Sequence, residues 1–330
     1  MSTVHYQETP RRPKVVLYAI GGTIAGSAGT RTNTTDYKVG LAAEDLLASV
    51  PEITGIADVS HEQVANIPSS DVGADLLLQL SRTINARLQD SDIDGVVVTH
   101  GTDTLAESAF FLDITINSSK PVVLVGAMRP ASAISADGPA NLLKAIALAG
   151  SSTAVGRGVL IALNDRIGSA FYTNKTHSTA VETFRADEQG SLGVFINTRP
   201  HFWYAPAMPT GKPYFDVSNI ESLPKIAILY AYQDQDDSLI DAAIKHGAQG
   251  IVFAASGHGS VSTATKQQIR SLDAQGFPVI RATRTGNGTV ADKPEGIGAG
   301  VYSVPKARWL LALAMASGAS LEQIRAYFTV

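Results

Sequence analysis

Short, continuous apolar runs alternate with segments of helical period along most of the chain. Uninterrupted runs of Val, Ile and Leu are typical of parallel strands that are buried on both faces of a sheet. The strand candidates are residues 15–20, 95–99, 121–126, 158–163, 225–230, 250–254 and 278–282. Such regular alternation predicts an α/β fold built from layers of sheet and helices.

Helix candidates lie between or after these strands. They are residues 75–88, 104–113, 139–150, 239–246, 263–275 and 306–317. Pro139 suits the first turn of its helix, and Asp137 stands where a side-chain cap is expected. Ser320, followed three residues later by Gln323, predicts a capping box for a last short helix.

The length of 330 residues favours two domains, at roughly 150 residues per domain. A proline-rich stretch without clear periodicity separates two zones of strand–helix alternation. We predict a mobile extension at residues 1–14 and a larger domain at 15–200, with a mostly parallel sheet and helices on both faces. A linker at 201–223 then leads to a smaller parallel α/β domain at 224–330.

Composition excludes several classes of protein. The formal net charge of −4 excludes a generally basic nucleic-acid binder. No apolar run approaches the roughly 18 residues that span a bilayer, so we expect no membrane partner. The absence of cysteine excludes disulfides, thiolate metal sites and cysteine nucleophiles. The seven histidines show no metal-ligand spacing, so we predict no metal.

The amino-terminal segment lacks the pattern of a secretory signal, because no apolar stretch of about 7–15 residues precedes a small-residue cleavage site. We therefore expect a cytoplasmic location for the sequence as it stands. A periplasmic location is expected if a signal has been removed.

Candidate chemistry follows the strands, because open parallel sheets bind ligands beyond their carboxyl ends. After residues 15–20 come Gly21, Gly22 and Thr23, which place a hydroxyl at a glycine-rich turn. Adjacent glycines permit a positive φ and a close backbone approach. Taken alone, the motif is more typical of a simple tight turn, since short glycine motifs are common.

A denser polar set, His100-Gly101-Thr102-Asp103-Thr104, follows residues 95–99. Thr102 and Asp103 are expected to open a helix, where backbone amides favour anions. A simple helix cap explains one of these residues but not the whole set. An ionised Asp103 could hold a cationic partner or a substrate ammonium group. His100 could act as a base, although shaping the turn is the stronger interpretation.

Lys175 follows a strand and a polar loop, and an exposed charge is the usual interpretation of a single lysine. The alternative is that Lys175 and Asp103 flank Thr102 in one pocket. The small polar residues at 26–36 predict a loop, which could serve as a lid. Tyr37 ends this loop, either as an aromatic anchor or as a phenol that reaches the pocket on closure.

Together these motifs resemble those of a known family. AIGGTIAG at residues 19–26 resembles the first signature of the bacterial-type L-asparaginases, which is usually ATGGTIAG. VTHGTDT at residues 98–104 resembles their second signature. Segments at 126–130, 135–139, 164–167 and 285–288 are also similar. The similarity is greatest to the high-affinity (type II) branch, which includes enzymes that also take glutamine.

The resemblance implies an amidohydrolase of asparagine catabolism that converts L-asparagine to L-aspartate and ammonia, with some activity on L-glutamine. It also implies two α/β domains, no cofactor and a homotetramer built from intimate dimers. By motif match, Thr23 would be the nucleophile, with Tyr37 beside it on the lid. Thr102, Asp103 and Lys175 would form the second catalytic group.

The resemblance also implies the substrate contacts. Ser69 and Asp103 would bind the α-carboxylate and α-amino groups. The small domain of a neighbouring subunit would complete the pocket through Ser260 and an acidic residue, either Asp292 or Glu295. Ser70 stands where the family usually has Gln or Glu, and its shorter hydroxyl would bind the substrate ammonium group weakly or through water.

Two rival functions differ in what they explain. A non-catalytic, two-lobed amino-acid binding protein accounts for the architecture and the lid, but not for two threonine signatures with a lysine. An amidase subunit that feeds ammonia to a partner would need a longer amino-terminal extension. We therefore expect hydrolysis through a threonine, and the residues leave the identity of the general base open.

Overall fold

The computed structural model describes residues 11–35 and 38–329. Its strands, in chain order, are β1 Lys14–Gly21, β2 Gly26–Ser27, β3 Lys38–Val39, β4 Asp58–Ile67, β5 Gly95–Thr99, β6 Val122–Val125, β7 Val159–Leu163, β8 Arg166–Ser169, β9 Asn174–Lys175, β10 Phe184–Arg185, β11 Gly193–Ile196, β12 Arg199–Phe202, β13 Ile226–Tyr230, β14 Gly250–Ala255, β15 Val279–Thr283 and β16 Ile297–Gly298.

Its helices are α1 Ala43–Ala48, α2 Ala74–Leu88, α3 Leu105–Asp113, α4 Gly138–Ala149, α5 Ser238–Lys245, α6 Thr263–Ala274, α7 Val304–Ala316 and α8 Leu321–Phe328. Short 3-10 helices cover Thr23–Ala25, Pro51–Gly55, Ser69–Asp71 and Ser152–Ala154. The strands and helices predicted from apolar pattern are all present, with ends that shift by at most two residues. No helix in the described ranges is long and apolar enough to cross a membrane.

The larger sheet has eight strands in the order β12-β11-β8-β7-β6-β5-β1-β4. Strands β4, β1, β5, β6 and β7 pair in parallel, whereas the pairs β7–β8, β8–β11 and β11–β12 are antiparallel. The expected mostly parallel sheet is therefore confirmed. The apolar pattern missed β4, because this edge strand is largely exposed and carries polar residues along most of its length.

The order of the strands creates a crevice between β1 and β5. From β1 the chain passes through α1 to β4 on one side, whereas from β5 it passes through α3 to β6 on the other side. Neighbouring strands whose connections leave in opposite directions form a topological switch point, where α/β sheets bind ligands. Thr23 follows β1 and Thr102 follows β5, so both threonines stand at this point.

Helices cover both faces of the larger sheet, as predicted. On one face, α2 and α3 pack against residues that include Val16, Tyr18 and Val98. On the other face, α1 and α4 pack against residues that include Leu17 and Val97. The alternation of these residues along β1 and β5 follows from the two-residue period of a strand.

The smaller sheet has the order β13-β14-β15-β16, and its strands are all parallel. Helices α5 and α6 pack on one face. Helix α7 packs on the other face and also contacts α3 of the larger domain. The apolar side chains of α7 thus join the two sheets into one continuous core, and the predicted smaller parallel α/β domain is confirmed.

Two cap predictions had different outcomes. Ser320 and Gln323 form the predicted capping box at the start of α8. Asp137 occupies the N-cap position of α4, but its side chain does not cap the helix. Its carboxylate accepts hydrogen bonds from the backbone amides of Met128 and Arg129, at 3.0 and 2.9 Å. The prediction for Asp137 was wrong, because these loop amides compete for the same carboxylate oxygens.

The predicted extension at residues 1–14 is described only from Arg11 onwards. Arg11 forms an ion pair with Asp94, and Arg12 forms one with Asp58. Lys14 is the first residue of β1. These contacts connect the described end of the chain to the larger sheet.

Candidate active site

Three loops at the carboxyl ends of β4, β1 and β5 touch through glycine backbone. Gly22 has a φ of +85°, and a Cβ atom added to it would lie 2.2 Å from the Cα of Gly101. A Cβ added to Gly101 would in turn lie 2.8 Å from the Cβ of Ser69. Only glycine permits this approach, which brings the loops carrying Thr23, Ser69 and Thr102 together.

A cavity of about 570 Å³ opens where these loops meet. This volume is within the usual range for a small-molecule site, roughly 300–1,000 Å³. The cavity is lined by Gly22, Thr23, Thr35, Lys38, Asn66, Pro68, Ser69, Gly101, Thr102 and Asp103. Most of these residues carry hydroxyl, amide or charged side chains, so the site suits a small polar ligand.

Three hydroxyl residues in this lining are almost fully buried. Thr23, Ser69 and Thr102 are each at most 5% exposed. Thr23 begins a short 3-10 helix directly after the two glycines, while Ser69 begins another after Pro68. The local turns therefore present these residues to the cavity and keep bulk water away from most of their surface.

Lys175 joins the site from a distant part of the chain. Its Nζ donates a hydrogen bond to Thr102 Oγ1 at 3.1 Å and forms an ion pair with Asp103 Oδ1 at 2.6 Å. The lysine side chain is 15% exposed, whereas that of Asp103 is 74% exposed. The structure thus places Lys175 beside both residues, the arrangement proposed from the sequence.

The helix expected to open at Thr102 and Asp103 begins slightly later. Helix α3 starts at Leu105, with Thr104 at the N-cap position. The Thr104 hydroxyl donates a hydrogen bond to the Ser69 carbonyl oxygen at 2.6 Å instead of capping the helix. Thr104 therefore fastens the loop after β5 to the loop after β4, a contact that the sequence did not indicate.

His100 is fully buried next to the site and does not line its cavity. Its Nδ1 donates a hydrogen bond to the Gly101 carbonyl oxygen at 2.7 Å. Burial lowers the pKa of His100 to about 4, although this hydrogen bond acts in the opposite direction. A neutral, buried imidazole supports the interpretation that His100 shapes the turn and does not act as the base.

The lid candidate is anchored at several points. Strands β2 and β3 pair as a short antiparallel ladder. The amide of Ala28 donates to Ser132 Oγ at 2.8 Å, and the amide of Ile134 donates to the Arg31 carbonyl oxygen at 2.9 Å. Thr35 and Lys38 line the cavity. Tyr37, the predicted phenol of the lid, lies outside the described residues.

Thr35 and Lys38 were not singled out from the sequence, because no short motif distinguishes them from ordinary loop residues. Asn66, at the end of β4, was missed because β4 is a largely exposed strand without an apolar pattern. The useful signal for Lys38 is its position directly after Tyr37, the predicted end of the lid.

Ser70 and Ser260 are not among the residues that line this cavity. Ser70 is exposed, and its hydroxyl lies 3.4 Å from Asp71 Oδ1. Ser260 lines a separate cavity in the small domain. Their assigned roles in substrate binding remain predictions, and that of Ser260 requires a neighbouring subunit.

The two acidic candidates from the small domain are both engaged within their own chain. Glu295 forms an ion pair with Arg270, and Asp292 forms one with Arg325. The guanidinium of Arg281 is buried and donates hydrogen bonds to the carbonyl oxygens of Gly259 and Glu295. Arg281 therefore holds the loop of Ser260 beside the segment of the acidic candidates.

Within the described ranges, no group of three or more His, Asp or Glu side chains could hold a metal ion. The chemistry available at the candidate site is that of its hydroxyls, its lysines and the Asp103 carboxylate. Such groups can support nucleophilic attack and proton transfer.

Comparisons with known proteins agree with this geometry. A family model described as "Asparaginase, N-terminal" matches residues 14–208, and one described as "Glutaminase/Asparaginase C-terminal domain" matches residues 225–328. L-asparaginase 2 of Bacillus subtilis is 44% identical over an alignment of 342 positions, which covers 99% of this chain and 89% of that protein. The chain belongs to the asparaginase family.

Other members of the asparaginase family are similarly close. L-asparaginase 2-3 of Saccharomyces cerevisiae is 44% identical, with 96% of this chain and 90% of that protein covered. The crystal structure of the probable cytoplasmic L-asparaginase from Campylobacter jejuni has a TM-score of 0.91 at 40% identity, and the match covers 96% of this chain and 99% of that one.

Asparaginase-family relatives carry titles that refer to different compartments. The Campylobacter jejuni protein is titled cytoplasmic, whereas a Haemophilus influenzae relative with 39% identity is titled periplasmic. That match covers 96% of this chain and 92% of the relative. Family membership therefore assigns neither compartment, and the location expected from the sequence stays a prediction.

Proposed function

We propose that this chain is an L-asparaginase that hydrolyses the side-chain amide of L-asparagine to L-aspartate and ammonia. The observation that carries the proposal is the contact of Lys175 with Thr102 and Asp103, at the cavity that Thr23 also lines. Full-length relatives named L-asparaginase support the same activity. A non-catalytic binding protein would not need this set of groups, and we reject that alternative.

In the first step, the Thr23 hydroxyl attacks the side-chain carbonyl carbon of asparagine. The hydroxyl proton passes through a base to the leaving nitrogen, the C–N bond breaks, and ammonia departs. The product is an ester between Thr23 and the aspartyl group. A threonine hydroxyl needs such help, because it is a weak nucleophile in its protonated form.

In the second step, water attacks the ester carbonyl and gives one proton back to the Thr23 oxygen. Aspartate is released and the enzyme is regenerated. Thr102 and Lys175 support this step, because the lysine Nζ and the threonine Oγ1 are 3.1 Å apart and can relay a proton. Asp103 orients the lysine through their 2.6 Å ion pair.

The substrate's α-carboxylate and α-amino groups bind to Ser69 and Asp103. Both residues line the cavity, with the carboxylate of Asp103 largely exposed. The Asp103 Oδ2 atom accepts no hydrogen bond from the described residues and is available for a substrate ammonium group. Ser69 contacts the α-carboxylate through its hydroxyl.

A finer part of the proposal concerns substrate range and assembly. Glutamine differs from asparagine by one methylene group, which a pocket distinguishes by only about 1–3 kcal/mol. We therefore expect some L-glutaminase activity.

We further propose that the active species is a homotetramer in which Ser260 of a neighbouring subunit completes the pocket.

The decisive test is steady-state kinetics on asparagine and glutamine side by side, with ammonia and the amino-acid product both quantified. Equal amounts of ammonia and aspartate from asparagine are expected. A folded protein that releases neither product would overturn the proposal. Size-exclusion chromatography with light scattering tests the tetramer.

A further inference from the structure

Lys306 is a buried lysine that the proposed mechanism does not use. It is the third residue of α7 and is only 2% exposed. Its Nζ donates hydrogen bonds to the carbonyl oxygens of Phe171 and Thr173, at 2.9 and 2.8 Å. A helix that packs against the small sheet thus contacts the backbone of the large domain.

The electrostatic surroundings of Lys306 are unfavourable for a cation. Burial lowers its pKa to about 7, although the carboxylates of Asp113 and Glu107 act in the opposite direction. A positive charge in the first turn of a helix also opposes the helix dipole. Among the described residues, no carboxylate lies within 4.0 Å of Lys306 Nζ, and an apolar side chain of similar volume would avoid these costs.

The backbone held by Lys306 leads directly to Lys175. The carbonyl oxygen of Thr173 lies two residues before Lys175 in the chain. Ser303, the residue before α7, adds a contact from its Oγ to Asn174 Oδ1 at 3.2 Å. The start of α7 therefore contacts both residues that precede Lys175.

Regular secondary structure gives little other support to this segment. Strand β9 has two residues, Asn174 and Lys175, and among the described strands it pairs with the equally short β10 alone. Lys175 and Lys306 also line one cavity of about 410 Å³ between the domains, together with Glu107, Asn174 and Ser303. The contacts from α7 are thus a major constraint on where the Lys175 backbone lies.

We propose that Lys306 is a positioning residue for Lys175. By holding the Phe171 and Thr173 carbonyl oxygens, Lys306 fixes the backbone from which Lys175 reaches Thr102 and Asp103. Lys306 itself does not touch the substrate. This inference rests on the proposed function, and it makes the first turn of α7 part of the support for the active site.

The first test replaces Lys306 by methionine, which keeps the volume and removes the donor. We expect Lys306→Met to lower kcat at least tenfold while KM for asparagine stays within about threefold, because a displacement of about 1 Å can cost on the order of 100-fold in rate. The control is Lys212→Met, which removes a partly buried lysine that is paired with Asp113. The control should lose stability but keep kcat within about twofold.

A double-mutant cycle distinguishes positioning of Lys175 from a general structural effect. If Lys306 acts through Lys175, adding Lys306→Met to Lys175→Met should change the residual kcat by less than about threefold. A further loss as large as that in the wild-type background would overturn the proposal. Unchanged kcat in the folded single variant Lys306→Met would overturn it as well.

A milder variant decides the matter if Lys306→Met does not fold. Ser303→Ala removes only the contact to Asn174, and we expect it to lower kcat about threefold without changing KM. Wild-type kcat in Ser303→Ala would then reject the claim that the start of α7 positions Lys175 through the residues before it. A wild-type protein that releases no ammonia from asparagine would instead reject the proposed function, so the two failures are distinguishable.

Discussion

Gly22 and Gly101 are in backbone contact, although 78 residues separate them in the chain, because their loops follow neighbouring strands of one sheet. A side chain on either residue would collide with the other loop or with Ser69. This contact sets how closely the loops of Thr23 and Thr102 approach each other.

Replacing Gly22 by alanine should therefore abolish activity and destabilise the fold. The new Cβ would lie 2.2 Å from Gly101 Cα, and the φ of +85° is itself unfavourable for alanine. We expect kcat to fall at least a hundredfold and the melting temperature to drop. Gly29→Ala is the control, since its Cβ would meet no atom of the described residues within 4 Å. Normal turnover in Gly22→Ala would show that the two loops do not need this approach.

Removal of either candidate threonine should stop turnover without unfolding the protein. Thr23→Ala removes the proposed nucleophile, and Thr102→Ala removes the hydroxyl that contacts Lys175 at 3.1 Å. We expect each variant to lose at least about a hundredfold in kcat, a typical loss for general acid–base groups. Circular dichroism and size-exclusion chromatography control for the fold. Near-normal turnover of Thr23→Ala would remove Thr23 from the nucleophile role.

Asp103 should contribute both to binding and to the orientation of Lys175. Asp103→Asn is expected to raise KM for asparagine and to lower kcat, because it removes the charge opposite the substrate ammonium group and weakens the 2.6 Å contact to Lys175. Succinamic acid, which lacks the α-amino group, separates the two effects. With this substrate we expect the KM effect of Asp103→Asn to disappear while the kcat effect remains. An equal rise in KM for both substrates would contradict the ammonium contact.

The stability of the protein should fall in mild acid because of His100. Its pKa is 6.5 in an unfolded chain and about 4 in the folded one, so the unfolded state binds the extra proton first. The stabilisation is complete above pH 6.5 and is lost as pH falls towards 4. It corresponds to about 2 kcal/mol between pH 7 and pH 5. Urea unfolding of wild type and His100→Gln at both pH values checks this, and parallel pH dependence in the two proteins would exclude His100 as the source.

The buried strands could be predicted because short, unbroken apolar runs are typical of strands that are covered on both faces of a sheet. Residues 95–99 are fully buried in β5, and their unbroken apolar pattern indicated this directly. Strand β4 gave no such signal, because an exposed edge strand has no need for apolar residues on both faces. The sequence also did not show that Asp137 fails to cap α4. Its carboxylate instead accepts hydrogen bonds from the amides of Met128 and Arg129, which only the tertiary fold brings near it.

The part of the candidate site that could be predicted consists of residues that directly follow strands, because parallel sheets bind ligands at the carboxyl ends of their strands. Thr23 and Thr102 lie at strand ends that the sheet brings together. Lys175 was assigned to the site from the motif around it. The sequence alone does not specify its contact with Thr102, which lies 73 positions away in the chain. Lys306 gave no signal, because a lysine in a first helical turn is ordinarily exposed and only tertiary packing buries it.

Helix α7, which packs between the two sheets, follows both threonines and Lys175 in the chain. On a ribosome, the two threonines and Lys175 would be synthesised long before the helix that we propose positions the lysine. A nascent chain stalled before residue 304 could therefore form the larger sheet and still lack an aligned proton relay. If Lys306 positions Lys175 as proposed, catalytic competence would begin only after α7 has been synthesised.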